Sequence, residues 1–227
     1  MRVEIKFCGL TRSEDANHAV SLGASYVGVI FAGGPRMLTV DRARDVLAGV
    51  PETVRRVGVF ADQTATEIAR VAERLGLAVV QLHGTAGIER IAEVGREFSG
   101  HIWPVLRVVD GELTPEFPEL ADVADGVLLD AYSPNALGGT GVRLPWRMLS
   151  AELTRRRGET PIILAGGLSA DNVAQAIGDL EPDVVDVSSG VERSPGIKDH
   201  DRMRAFRDAV THASISTSRS TSRSPSR

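Results

Sequence analysis

One pattern governs this chain. Between Val3 and Asp199 it alternates a short β-branched or apolar run, a glycine-containing loop and a segment of helical period. The apolar runs lie near 3–8, 25–31, 54–60, 78–83, 102–108, 124–130, 161–165 and 184–188. Intervening segments such as 13–22, 64–75 and 169–180 carry capping residues and apolar side chains three and four apart, with Ser169 read as the N-cap of the last. The stretch 111–123 holds two prolines and predicts a short helix. Strand–helix alternation without a hairpin signal implies a parallel sheet. Eight such units either close or form an unusually wide open sheet. No GxGxxG turn follows the first run, so closure is expected. The predicted fold is α/β, a single-domain (β/α)8 TIM barrel over residues 1–213.

Residues 214–227 differ in kind: seven Ser, two Thr, three Arg, one Pro and one Ile. Such a segment has almost nothing to bury, and a disordered Ser/Arg-rich tail is expected there. The formal charge of −4 becomes −7 once the three tail arginines are removed. An acidic body is a poor partner for nucleic acid, whose phosphates dominate affinity. No run approaches the ~20 apolar residues of a membrane span, and the first six residues begin like a strand rather than an export signal. The single cysteine, Cys8, excludes an intrachain disulfide and any multi-cysteine metal site. Neither metal nor cofactor is expected, and the predicted location is cytoplasmic.

Strand parity then sorts side chains. In the first run Val3, Ile5 and Phe7 share one face, and Glu4, Lys6 and Cys8 the other. Helices cover the outside of a barrel, so the second set points inward. Parity likewise sets Gln81 with His83, Leu128 with Asp130, and Asp186 with Ser188 on the inner face. First and last strands become neighbours on closure, which predicts a buried Lys6–Asp186 ion pair. Cys8, His83, Asp130 and Ser188 all end strands on the C-terminal face, where barrels of this class keep their chemistry. Glycine-rich turns stand on the same face: Gly166-Gly167 after the seventh run, Ser188-Ser189-Gly190 after the eighth, and Gly138-Gly139-Thr140-Gly141 after the sixth. Three such loops on one face point to a phosphate held by backbone N–H groups.

A lone cysteine is more often structural than reactive. Cys8, however, faces inward at the loop end of its strand, where a thiolate serves as a base. Asp130 closes the apolar run Gly126-Val127-Leu128-Leu129, an environment that keeps a carboxyl protonated for donation. At ~6 Å and an effective dielectric of ~20, two ionised groups repel by ~3 kcal/mol, so such a pair shares a proton.

The motifs Lys6-Phe7-Cys8-Gly9-Leu10-Thr11, Gln81-Leu82-His83-Gly84, the stretch from Asp130 to Gly141, Leu164-Ala165-Gly166-Gly167-Leu168, and Asp186 to Glu192 followed by Pro195-Gly196-Ile197-Lys198-Asp199 occur in this order. Together they resemble the N-(5′-phosphoribosyl)anthranilate isomerase family of tryptophan biosynthesis, over residues 3 to about 210. The resemblance implies an Amadori rearrangement of an aminoaldose phosphate to an aminoketose phosphate. It implies Cys8 as general base, Asp130 as general acid and Arg36 as the holder of the anthranilate carboxylate. It sets Gly139, Thr140, Gly167, Ser189 and Gly190 in phosphate loops, with Gly166 beside them and His83 among the substrate contacts. The family usually has Ser-Pro-Arg where this chain reads Gly34-Pro35-Arg36, and an aliphatic residue in place of Phe7. The expected partner is a small phosphosugar, and the expected assembly a monomer or homodimer.

Two rivals follow from the same residues. The related isomerase of histidine biosynthesis uses an aspartate where this chain has Cys8. A phosphate-binding barrel without catalysis is the other, since a fold alone does not prove an activity.

Overall fold

A computed structural model describes residues 2–84, 87–108, 112–130, 146–156 and 158–221. Strand β1 (Glu4–Phe7) leads into helix α1 (Ser13–Ser21), and the alternation continues through β2 (Tyr26–Ile30), α2 (Val40–Leu47), β3 (Arg55–Phe60) and α3 (Ala65–Leu75). Then come β4 (Val79–Leu82), α4 (Ile88–Gly95), β5 (His101–Arg107), α5 (Phe117–Val123), β6 (Val127–Asp130) and α6 (Trp146–Arg156). The last units are β7 (Ile162–Ala165), α7 (Val173–Leu180) and β8 (Val184–Val187). A one-turn 3₁₀ helix (Ser189–Val191) follows, then a small hairpin of β9 (Glu192–Ser194) and β10 (Ile197–Lys198), and finally α8 (His200–Thr221). Each barrel strand falls on one of the eight apolar runs. Helix α5 is short as expected, and Pro118 sits in its first turn, where a missing N–H breaks no helical hydrogen bond.

The eight strands close in sequence order into a parallel barrel. The seam joins β1 to β8, with Lys6 opposite Asp186 and Phe7 opposite Val187. Closure produces two apolar layers from one alternation of side chains. Ile5 and Phe7 belong to the outer layer between sheet and helices, where Phe206 of α8 meets Phe7 edge-on with ring centres 6.2 Å apart. Tyr26, Val57, Val79, Trp103, Leu128, Ile163 and Val184 fill the ring interior. Among the described residues Lys6, Gln81 and Asp186 are buried polar side chains on that inner face.

Local chemistry sets the helix ends. Thr64 opens α3 with a capping box: its Oγ1 accepts from the Glu67 N–H while Glu67 accepts from the Thr64 N–H. Gly76 ends that helix in the left-handed conformation, φ 60°.

Three features depart from expectation. Ser169 does not cap α7, which starts at Val173 after Asn172. Asn172 instead folds back on the turn, its Oδ1 accepting from the Ser169 N–H at 2.8 Å and its Nδ2 donating to the Gly167 carbonyl. An Asx side chain competes well for such backbone groups, and that displaces the helix start by three residues. Second, α8 continues through the position where a disordered tail was expected to begin: Ser214 is buried, and its hydroxyl donates to the Val210 carbonyl one turn earlier. Third, the β9–β10 hairpin was not foreseen. Among the described residues no helix is long and apolar enough to cross a membrane.

Candidate active site

The C-terminal ends of the strands surround a cavity of about 310 Å³. Cys8, just past β1, opens onto it, as do His83 past β4, Asp130 at the end of β6 and Ser188 past β8. Arg36, from the loop after β2, lines the same space, and so do Gly166, Gly167, Ser189 and Gly190. Residues separated by most of the chain's length are thus brought to one mouth. Gly139 and Thr140 lie outside the described residues. Two larger cavities, of about 510 and 560 Å³, contain neither Cys8 nor Asp130 nor the glycine turns. Chemistry, not size, singles out the smaller one. Among the described residues no group of three or more His, Cys, Asp or Glu is arranged to hold a metal ion.

The floor of the cavity is charged. Lys6 Nζ donates to Asp186 Oδ2 at 2.7 Å and to Gln81 Oε1 at 3.0 Å, with the Lys6 side chain wholly enclosed. Burial works to lower the pKa of that ammonium, but Asp186 and Cys8 beside it hold it above the usual lysine value. The expected ion pair is present. Asp186 Oδ1, also buried, has no hydrogen-bond partner among the described residues.

Cys8 stands directly above this floor. Burial pushes its thiol pKa up; the Lys6 ammonium pulls it back down, and the Asp186 carboxylate adds to the rise. Its neighbour in β2 is Gly28, and the reason for glycine there is steric. A Cβ at that position would lie 3.0 Å from Cys8 Sγ and 3.4 Å from Lys6 Cε. Thiol and ammonium side chains therefore occupy the space over Gly28 together. No residue with a side chain fits beneath them unchanged.

The two glycine turns meet. A Cβ on Gly190 would lie 1.9 Å from the Leu168 carbonyl oxygen, so the loop after β8 rests against the backbone of the loop after β7. Gly166 and Gly167 take φ values of 91° and 63° in that loop. Two backbone turns pressed together beside the start of α7 make a cradle of the kind that barrels offer a phosphate.

Arg36 is held from below. Its Nε and Nη2 donate to Glu192 Oε1 and Oε2 at 2.8 and 2.6 Å, and Lys198 Nζ donates to the same Oε1 at 2.9 Å. The grip of Glu192 and Lys198 on Arg36 was not read from the sequence. Pro195-Gly196 between two short polar runs was the available hairpin signal.

Comparisons with known proteins agree on one relationship. Residues 5–209 match the family model described as N-(5′-phosphoribosyl)anthranilate (PRA) isomerase. A protein of that name from Chromohalobacter salexigens is 44% identical over 213 residues, covering 93% of this chain and 95% of its own. A second, from Pseudomonas paraeruginosa, is 39% identical over 92% of this chain and 95% of its own. Among solved structures, the phosphoribosylanthranilate isomerase of Thermotoga maritima superposes with a TM-score of 0.83 at 33% identity, over 92% of this chain and 99% of that one. A phosphoribosylanthranilate isomerase solved with reduced 1-(o-carboxyphenylamino)-1-deoxyribulose 5-phosphate gives 0.80 at 31%, with the same coverage of both chains.

Proposed function

The chain belongs to the N-(5′-phosphoribosyl)anthranilate isomerase family and is an isomerase; on that premise we propose that it converts N-(5′-phosphoribosyl)anthranilate to 1-(2-carboxyphenylamino)-1-deoxyribulose 5-phosphate. Cys8 is the general base and Asp130 the general acid. The observation that carries this reading is the convergence of a thiol, a carboxyl group, a guanidinium and two touching glycine turns on one cavity. Each of the four matches one demand of the reaction.

The phosphate fixes one end of the substrate in the turns of Gly166-Gly167 and Ser189-Gly190. Arg36 receives the aryl carboxylate at the other end, as a planar guanidinium does well. Asp130, protonated, gives its proton to the furanose ring oxygen. The C1–O bond breaks and the nitrogen lone pair forms a C=N bond, leaving a protonated Schiff base. Cys8, as thiolate, removes the C2 proton, and the electron pair flows into a C1–C2 double bond to give an enolamine. A proton then leaves the C2 hydroxyl and another is gained at C1, which yields the ketone. Atoms balance without any outside reagent.

Burial, with the Lys6 and Asp186 charges acting in opposite directions, leaves the Cys8 thiol above its ordinary value. Burial favours the neutral thiol, and the adjacent Lys6 ammonium favours the thiolate. Lys6 therefore supports the base without touching the substrate. The proposal includes a role in tryptophan biosynthesis, a cytoplasmic location and a monomer or homodimer. A crystal structure of monomers generated from the dimeric Thermotoga maritima enzyme supports the homodimer as one of these states.

The test follows the fluorescence of anthranilate-bearing substrate with wild type, Cys8→Ser and Asp130→Asn. Turnover should fall by roughly two to four orders of magnitude in each variant while inorganic phosphate binds unchanged. Either variant turning over at close to the wild-type rate refutes the assignment of that residue. Running the histidine-pathway aminoaldose alongside separates the two Amadori chemistries.

A further inference from the structure

We infer that Glu192 and Lys198 are positioning residues that select for a negatively charged aryl group, by turning one edge of Arg36 and one unit of positive charge toward the cavity. This rests on the reading of Arg36 as the carboxylate holder.

The geometry comes first. Arg36 and Glu192 are 156 positions apart and form a two-point contact through Nε and Nη2. A guanidinium has five N–H donors in a fixed plane. The side-on contact with Glu192 takes two of them. Of the remaining three, one on Nη1 and one on Nη2 point out along the Nη1–Nη2 edge, whose spacing matches the two oxygens of a second carboxylate. Arg36 lines the cavity, and neither Glu192 nor Lys198 does. The buried pair therefore fixes the plane of the guanidinium from behind and leaves its outer edge for a ligand.

Glu192 is itself immobilised. Its Oε1 accepts from Lys198 Nζ at 2.9 Å and from the Gly196 N–H at 3.3 Å, and Lys198 also donates to the Ser188 carbonyl at 3.1 Å. The β9–β10 hairpin closes around that carboxylate, whose side chain is 4% exposed beside a fully enclosed Lys198.

Charge is the second part. Arg36 and Glu192 alone would form a neutral pair, and a ligand carboxylate reaching Arg36 would meet the field of Glu192 uncompensated. Lys198 leaves the trio with one net positive charge, which the ligand carboxylate neutralises. In a partly buried site such a balance is felt strongly because solvent screens it little. Lys198 never touches the ligand, yet it sets the preference for an anionic aryl group over a neutral one.

The experiment titrates two reduced aminoketose phosphates: the N-(2-carboxyphenyl) compound and the N-phenyl compound that lacks the carboxylate. Wild type should prefer the first by roughly 10- to 100-fold. Lys198→Met, which removes the net charge, should lose most of that preference through weaker binding of the carboxylated compound. So should Glu192→Gln, where loss of the two-point contact that fixes the guanidinium outweighs the negative charge removed. N-phenyl affinity should change by no more than about twofold in either. In turnover the loss should fall on KM, with kcat held within about threefold. If wild type binds both compounds equally, the reading of Arg36 fails and takes this inference with it. If wild type discriminates and the variants discriminate as well, this inference alone fails. Should Lys198→Met not fold, the ratio measured on Glu192→Gln and on the shorter Glu192→Asp decides the matter.

Discussion

Lys6 Nζ and Asp186 Oδ2 stand 2.7 Å apart across the seam where the first strand pairs with the eighth, and both side chains are shut away from water. Their separation along the chain is 180 residues. The pair forms the base of the cavity beneath Cys8 and is completed by Gln81 from the fourth strand.

Lys6→Met should therefore be costly. It strands the Asp186 carboxylate, one of whose oxygens already has no hydrogen-bond partner among the described residues. Loss of one member of a buried pair costs about 3–5 kcal/mol. Urea denaturation should show that loss, and the double variant Lys6→Met/Asp186→Leu should recover part of it. A Lys6→Met midpoint equal to wild type would refute the coupling.

Gly28→Ala should spare folding and harm turnover. The new methyl meets Cys8 Sγ at 3.0 Å, so the thiol gives way by a few tenths of an ångström or more. Misplacement of a reacting group costs up to ~100-fold in rate, and kcat is expected to drop about tenfold or more with KM little changed. Steady-state kinetics on the purified variant provide the check.

Gly190→Ala should do the opposite. Its methyl would lie 1.9 Å from a backbone carbonyl that has no freedom to rotate away, so the two turns must separate. Phosphate affinity and KM are expected to suffer by roughly tenfold to a hundredfold, as for loss of one to two charge-assisted hydrogen bonds. Competition by inorganic phosphate against the substrate measures this directly.

The acid limb of stability should depend on Asp15. Burial acts to raise its pKa, but hydrogen bonds from Arg12, His200 and the Lys198 N–H together hold it below the usual carboxylate value. The unfolded chain thus binds a proton more readily than the folded one. Stability from this group is complete above the unfolded value near 3.8 and is lost as pH falls through the lower folded value. Asp15→Asn should be less stable at neutral pH and should flatten the decline below about pH 4. Thermal melts between pH 2.5 and 7 would show it, and an unchanged acid slope would count against the assignment.

Much of this architecture was legible because a barrel imposes strong rules on short segments. Covering helices force Ile5 and Phe7 outward, so Lys6 and Cys8 had to turn inward, and closure then had to bring Lys6 to Asp186. Gly166-Gly167 and Ser189-Gly190 were readable as turns because they end strands on the same face. Glu192 and Lys198 were not readable as a unit. The bond from Arg36 to Glu192 spans 156 positions, and two strands of three and two residues carry too little periodicity to register. Asn172 displaced Ser169 for a related reason: both are good caps, and only the shape of the preceding turn chooses between them. The continuation of α8 past Ser214 turns on one hydroxyl bonding back along its own helix, which composition does not reveal.

The seam between the outermost strands carries a final consequence. Half of the charged floor comes from the first strand and half from the eighth, 180 positions further on. A chain without its eighth strand has the ammonium but not its carboxylate, so the buried pair forms only when the seam closes the ring.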